Sequence, residues 1–178
     1  KVMQGLLAPD SGSVRIGERT QFNYADQHRM TLNNEKTVYE EIGEGNDFVL
    51  FDGRKLNIWS YLKGYLFQDD EINTKVGQLS GGERNRLVLA KNLKVGGNFL
   101  ILDEPTNDLD LPTLRILEEA LIGFGGCVVI VSHDRYFLDN VVTKIIEIED
   151  KVSDTFIGNY SSYLVQKAEK IGVQLENY

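Results

Sequence analysis

The sequence predicts an α/β fold with a parallel core sheet, a small antiparallel β region and a helical subdomain. Three observations carry this. Asn98-Phe99-Leu100-Ile101-Leu102 and Cys127–Val131 are nearly unbroken apolar runs of strand length, the pattern of parallel strands covered on both faces. A helical stretch at 112–121 lies between them, and strand, helix, strand is the order of a parallel unit. Outside that unit, Gly17-Glu18-Arg19 and Asp52-Gly53 are turn signals between short strand-like runs.

The elements follow in order. Residues 1–7 read as the tail of a helix, and Pro9-Asp10-Ser11-Gly12 as a turn. Strands at 13–16 and 21–24 are expected to form a hairpin about Gly17-Glu18-Arg19. Thr37 suits the cap of a short helix through Ile42. Strands at 48–51 and 56–58 flank Asp52-Gly53, and Tyr61, Leu62, Tyr65 and Leu66 then repeat at helical spacing. Asp69-Asp70-Glu71 is read as a solvated turn rather than a metal site. Ser80 and Glu83 have capping-box spacing at the head of a helix whose apolar face carries Leu87, Ala90 and Leu93, and Gly96-Gly97 ends it. A helix at 134–140, strands at 144–148 and 152–156 and a polar terminal helix at 160–175 complete the chain.

Composition bounds the function. A length of 178 residues fits one domain with a sizeable core, and 42% apolar with 26% charged residues is an ordinary soluble composition. No apolar run approaches the roughly 18 residues that span a bilayer, and no signal-peptide pattern opens the chain. One cysteine excludes an internal disulfide framework and fits a reducing compartment, so the expected location is cytoplasmic. The net charge of −8 argues against a broad nucleic-acid surface on this region.

The residues able to do chemistry gather at expected strand ends. Asp103 and Glu104 follow a buried strand, at the edge where open α/β sheets bind ligands. Adjacent residues in extended backbone face opposite sides, so one can hold a magnesium ion while the other orients or deprotonates a water. Ser132-His133-Asp134 also ends an apolar strand; three adjacent residues cannot build a nucleophilic triad, and His133 is expected to project toward the same edge as Glu104. Ser80-Gly81-Gly82, just before a helix, is a cradle for a phosphate. Trp59, Tyr61 and Tyr65 are assigned to the core, Cys127 to an inert core thiol and His28 to an exposed loop. Tyr160 and Tyr163 are expected to pin the last helix.

In this order, Leu79-Ser80-Gly81-Gly82-Glu83, Leu100-Ile101-Leu102-Asp103-Glu104-Pro105, Thr106-Asn107-Asp108-Leu109-Asp110 and Ser132-His133-Asp134 resemble four motifs of an ATP-binding cassette (ABC) ATPase, a P-loop NTPase. They match its signature motif, Walker B strand, D-loop and switch histidine. Glu83-Arg84-Asn85-Arg86, the Thr-Asn-Asp-Leu-Asp loop and the sequence after His133 are similar to the ABC-F subfamily, which pairs two cassettes in one chain without a membrane domain. Asp26-Gln27-His28 and Lys36-Thr37-Val38-Tyr39, with no long charged insertion before Ser80, resemble a second cassette.

The resemblance implies ATP and Mg2+ as ligands. Asp103 and Gln27 would serve the magnesium ion, Glu104 would act as general base, and His133 would contact the γ-phosphate. Ser80, Gly81, Gly82 and Glu83 would meet the ATP held on a second cassette, and Asp110 would bridge the two. It further implies a cassette domain over 1–158, with a helical signature subdomain at about 36–95, and a helical extension over 159–178. A ribosome or its RNA would be contacted through regions elsewhere, with no membrane insertion. One expected motif, Gly-x-x-x-x-Gly-Lys-Ser/Thr, does not occur in the 178 residues, so this stretch alone is expected to be inactive. The alternatives are the ATP-binding subunit of a membrane transporter and a non-catalytic module that docks on a partner cassette.

Overall fold

The structure is a computed structural model and describes residues 2–25, 31–51 and 54–176. The chain gathers into two compact units, Lys1–Val131 and Ser132–Tyr178. In chain order the first unit carries β1 (Phe22–Ala25), α1 (Val38–Gly43), β2 (Phe48–Phe51), β3 (Arg54–Asn57) and α2 (Ile58–Gly64). It continues with α3 (Asp69–Ile72), α4 (Gly81–Lys94), β4 (Phe99–Asp103), α5 (Leu111–Ile122) and β5 (Cys127–Val131). The second unit carries α6 (Arg135–Val141), β6 (Lys144–Glu149), β7 (Val152–Ile157) and α7 (Tyr160–Glu176).

The parallel sheet forms as expected, in the order β1-β4-β5, with Phe22 opposite Phe99 and Asp103 opposite Val131. Leu100, Ile101 and Leu102 of the central strand β4 are buried. The outer strand β5 is only half-covered, and Cys127 is exposed rather than a core thiol. Its apolar run reads as buried from sequence, but it pairs on one side only among the described residues.

Between β1 and β4 lies the helical subdomain. Val38, Ile42, Ile58, Leu62, Ile72, Val76 and Leu87 are fully buried there, each worth roughly 1.5–3 kcal/mol on leaving water. Gly43 lets α1 close on α2, because a β-carbon there would stand 2.8 Å from Ile58 Cδ1. Tyr61 donates its hydroxyl to the Ala90 carbonyl at 2.7 Å, with Tyr65 3.2 Å away. Burial pushes the Tyr65 phenol up to about 12 and the Tyr61 phenol higher still, so Tyr61 stays a donor. Both tyrosines are core, as expected. Lys91 pairs with the buried Glu41, and Lys94 donates to the Ile42 carbonyl, which fastens α4 to α1.

Several local expectations are corrected. Residues 13–16 are not a strand, and the Gly17 turn precedes β1 without making a hairpin; β1 bonds to β4 instead. Residues 2–4 form a single 3-10 turn rather than a helix tail. Ile58 opens α2 instead of extending β3, because Asn57 caps that helix by accepting the Trp59 N–H at 2.9 Å. Asp69-Asp70-Glu71 is helical: the Glu71 carboxylate accepts the Gln68 N–H and closes a cap. Thr37 caps α1 as the sequence predicts. The Asp52-Gly53 turn, Lys1 and His28 lie outside the described residues.

In the second unit, β6 and β7 form an antiparallel pair against α7. The Tyr163 ring meets Phe156 edge-on at 5.0 Å and its hydroxyl donates to Glu147, while Lys167 pairs with Glu147 and Lys170 with Asp154. These contacts pin the last helix to the hairpin. The position 158/159, expected as a domain boundary, falls inside this unit.

Candidate functional site

The cradle is built by a helix cap. Ser80 is the N-cap of α4: its hydroxyl accepts the Glu83 N–H at 3.4 Å, and the Glu83 carboxylate accepts the Ser80 N–H at 2.7 Å. Those hydrogen bonds with Ser80 hold the Glu83 carboxyl below its ordinary value. Glu83 is thus engaged in the cap, while the front of the helix is left to the glycines. A β-carbon on Gly81 would meet nothing within 4 Å, and Gly81 is not in the left-handed region. Neither packing nor backbone conformation requires glycine there. What it leaves is open space before N–H groups and a helix dipole that favour an anion.

The acidic strand end is arranged differently from the sequence expectation. Asp103 is the exposed last residue of β4, and Tyr24 donates its hydroxyl to Asp103 Oδ2 at 3.5 Å. Glu104 is not extended: its φ is +48°, and its N–H donates to the Val131 carbonyl at 2.7 Å. The alternation of an extended strand therefore stops at Asp103, and a left-handed turn separates the two carboxylates instead. No group of three or more His, Cys, Asp or Glu able to hold a metal occurs among the described residues. A lone exposed carboxylate fits Mg2+ arriving on phosphate oxygens and keeping several waters, and does not fit an all-protein cage. Gln27, the other expected magnesium residue, lies outside the described residues.

From Glu104 the chain turns twice before α5. The Asn107 N–H donates to the Glu104 carbonyl and the Leu109 N–H to the Thr106 carbonyl, each at 3.3 Å, and Asp108 has a φ of +61°. Asp110 caps α5 by accepting the Thr113 N–H at 2.9 Å, and the hydrogen bonds with Thr113 hold its carboxyl below the usual range. This loop touches the cradle helix. Asn85 Nδ2 donates to the Asp108 carbonyl at 2.7 Å, and Arg86 Nη1 lies 3.8 Å from Asp110 Oδ2. A β-carbon on Gly82 would stand 3.1 Å from that same oxygen.

Ser80–Glu83, Asp103, Glu104 and Asp110 thus belong to the first unit, where Gly82 and Asp110 are brought together. His133 is exposed in the second unit. Beside it, the Ser132 hydroxyl accepts the Asp134 N–H at 3.1 Å, and Asp134 caps α6 through the Phe137 N–H at 3.0 Å. Tyr24 was not singled out by sequence, and Asn85 and Arg86 entered only as part of the motif after the signature, with no role at the site. A signal existed for the last two: three and four residues beyond Gly82, they share its helix face.

A family model described as ABC transporter matches residues 1–107. The energy-dependent translational throttle protein EttA of Escherichia coli (strain K12) is 43% identical over 173 residues, which cover 97% of this chain and 31% of that protein. The ATP-binding protein Uup of the same strain is 42% identical over 176 residues, covering 98% of this chain and 28% of that one. The chain therefore spans about a third of the length of these relatives. Among solved structures, cbiO1 of Clostridium perfringens, part of the ABC transporter complex cbiONQ, superposes with a TM-score of 0.63 at 21% identity, over 98% of this chain and 76% of that one. The complex of archaeal ribosomal stalk protein aP1 and the archaeal ribosome recycling factor aABCE1 matches with a TM-score of 0.62 at 23% identity, over 91% of this chain and 32% of that one. The structural likenesses speak to the fold, that of an ABC-type P-loop NTPase. With the family model covering more than half of the residues, and with the motif order and the sequence relatives in agreement, the chain belongs to the ABC transporter family, as a cassette of the ABC-F type.

Proposed function

We propose that this cassette binds ATP with Mg2+ and hydrolyses it together with a second cassette, as part of a longer cytoplasmic protein. The observation that carries the reading is the open helix start at Gly81, which nothing inside the fold requires. An anion brought by another cassette supplies a reason for it: Ser80, Gly81 and Gly82 take the γ-phosphate of the partner's ATP, with Glu83 holding the helix start in shape. Asp103, with Gln27, holds magnesium, which neutralises charge on the phosphates when bound. Glu104 accepts the proton of the water that attacks the γ-phosphorus as the bond to ADP breaks. His133 contacts the γ-phosphate, and Asp110 bridges the two cassettes.

Similarity to EttA supports a role in translation, with the ribosome as the partner. The charge of −8 fits RNA contacts made by other parts of the protein. Among the described residues no helix is long and apolar enough to cross a membrane. The chain resembles a second cassette, and the 178 residues alone, without a Gly-x-x-x-x-Gly-Lys-Ser/Thr stretch, hold ATP weakly.

The test is turnover by the full-length protein and by its Glu104→Gln variant. Loss of the base is expected to lower hydrolysis at least about 100-fold while ATP binding persists. Wild-type turnover in that variant would refute the assignment. Micromolar ATP affinity of the isolated 178-residue chain would refute weak binding, and docking of that chain on a complete cassette without any contribution to hydrolysis would favour a non-catalytic module.

A further inference from the structure

The geometry points to Asn85 as a positioning residue that, with Arg86, ties the 106–110 loop to the helix bearing the Ser80–Gly82 cradle. This rests on the ATPase reading and deepens it, since it links the cradle offered to one ATP with the general base proposed for another.

Three neighbours on one face of α4 reach the loop. Gly82 gives the clearance: a β-carbon there would crowd Asp110 Oδ2 at 3.1 Å, and the carboxylate would have to shift. Asn85, one turn on, fixes the carbonyl of Asp108 at 2.7 Å. Asp108 has a φ of +61°, a left-handed turn conformation that aspartate tolerates better than most residues, and the Asn85 hydrogen bond fixes its carbonyl in that turn. Arg86 lies over the ring of the buried Phe67, 5.6 Å from its centroid, with its side chain only 14% exposed. Its Nε is buried without a hydrogen-bond partner among the described residues, so the guanidinium is anchored by the ring and by the Asp110 charge 3.8 Å away.

The loop transmits this hold toward Glu104. The Asn107 N–H bonds back to the Glu104 carbonyl and the Leu109 N–H to that of Thr106, so Asp108 cannot shift without straining the turn that places Glu104. Glu104 itself sits at a φ of +48°, with its carbonyl bonded to the Asn107 N–H of this loop and its N–H to the Val131 carbonyl. Asn85 touches no reacting atom; it acts through Asp108 and the turns behind it.

The experiment uses the full-length protein and three substitutions: Asn85→Ala, Asn85→Asp, which keeps the size but removes the donor, and Asn85→Gln, which restores a donor on a longer arm. Amide exchange at Leu109 is read alongside kcat and KM for ATP. Ala and Asp are expected to accelerate Leu109 exchange several-fold and to lower kcat on the order of tenfold, with KM within about twofold. Gln is expected to recover much of both. Unchanged exchange and unchanged kcat in Asn85→Ala and Asn85→Asp would overturn the proposal. So would equal losses in all three variants that track a lowered melting temperature. Should Asn85→Ala fail to fold, the near-isosteric Asn85→Asp decides. If the wild type hydrolyses no ATP, the ATPase reading fails, while the exchange measurement still decides whether Asn85 holds the loop.

Discussion

A β-carbon on Gly82 would stand 3.1 Å from Asp110 Oδ2, whereas one on its neighbour Gly81 would meet nothing within 4 Å. The two glycines therefore serve different ends. Gly82 makes room for a contact inside the cassette, and Gly81 borders open space, where the proposed function seats the phosphate of another cassette's ATP. Gly81→Ala is expected to leave stability unchanged or raise it by up to about 1 kcal/mol, because alanine suits a helix better. Gly82→Ala is expected to lose that gain, because its β-carbon would crowd Asp110 Oδ2 and offset the better helix propensity of alanine. Both should depress ATP turnover of the full-length protein. Thermal unfolding and hydrolysis assays on the two variants separate the cases; a Gly81→Ala protein with full activity would remove the reason given for that glycine.

The cap at Ser80 carries a pH dependence of known sign. Hydrogen bonds with Ser80 hold the Glu83 carboxyl below its ordinary 4.5, so its stabilisation is complete above that value. It is lost as the pH falls through the lowered folded value, because the protonated acid no longer favours the helix start. Glu83→Gln keeps a capping side chain that cannot ionise. The wild type should melt higher than Glu83→Gln at neutral pH, and the difference should shrink below about pH 4.5. Melting curves that stay equally separated under acid conditions would contradict this.

Glu104 trades stability for its position. A left-handed φ of +48° costs a residue with a side chain roughly 1–2 kcal/mol, against the 0.5–1 kcal/mol or so of extra unfolded-state entropy that glycine brings. Glu104→Gly should therefore raise stability by about 0.5–1 kcal/mol while abolishing hydrolysis. Chemical denaturation and turnover measured on the same preparation check both halves. A destabilised Glu104→Gly would show that the side chain, not the turn, is what the fold needs there.

Elements with local causes were legible in the sequence. The caps at Thr37 and Ser80 form because a hydroxyl and a carboxylate three residues apart satisfy each other's backbone, whatever surrounds them. The apolar run of β4 was legible as a parallel strand covered on both faces, and its Leu100, Ile101 and Leu102 are buried. Errors fell where pairing decides. Residues 13–16 have strand character, yet they form no strand, and β1 pairs with β4, 77 positions away, instead. β5 is as apolar as β4, but its position in the sheet leaves Cys127 exposed.

The candidate site divides the same way. Its composition, two glycines at a helix start and two acids at a strand end, was determined by the sequence alone, because each motif is a run of neighbours. Its geometry was decided by tertiary structure. The left-handed turn at Glu104 depends on a hydrogen bond to Val131, and the hold on Asp108 and Asp110 comes from Asn85 and Arg86 on another helix. Contacts across 23 or more residues are set by how helices and strands pack, and no local pattern of side chains records that.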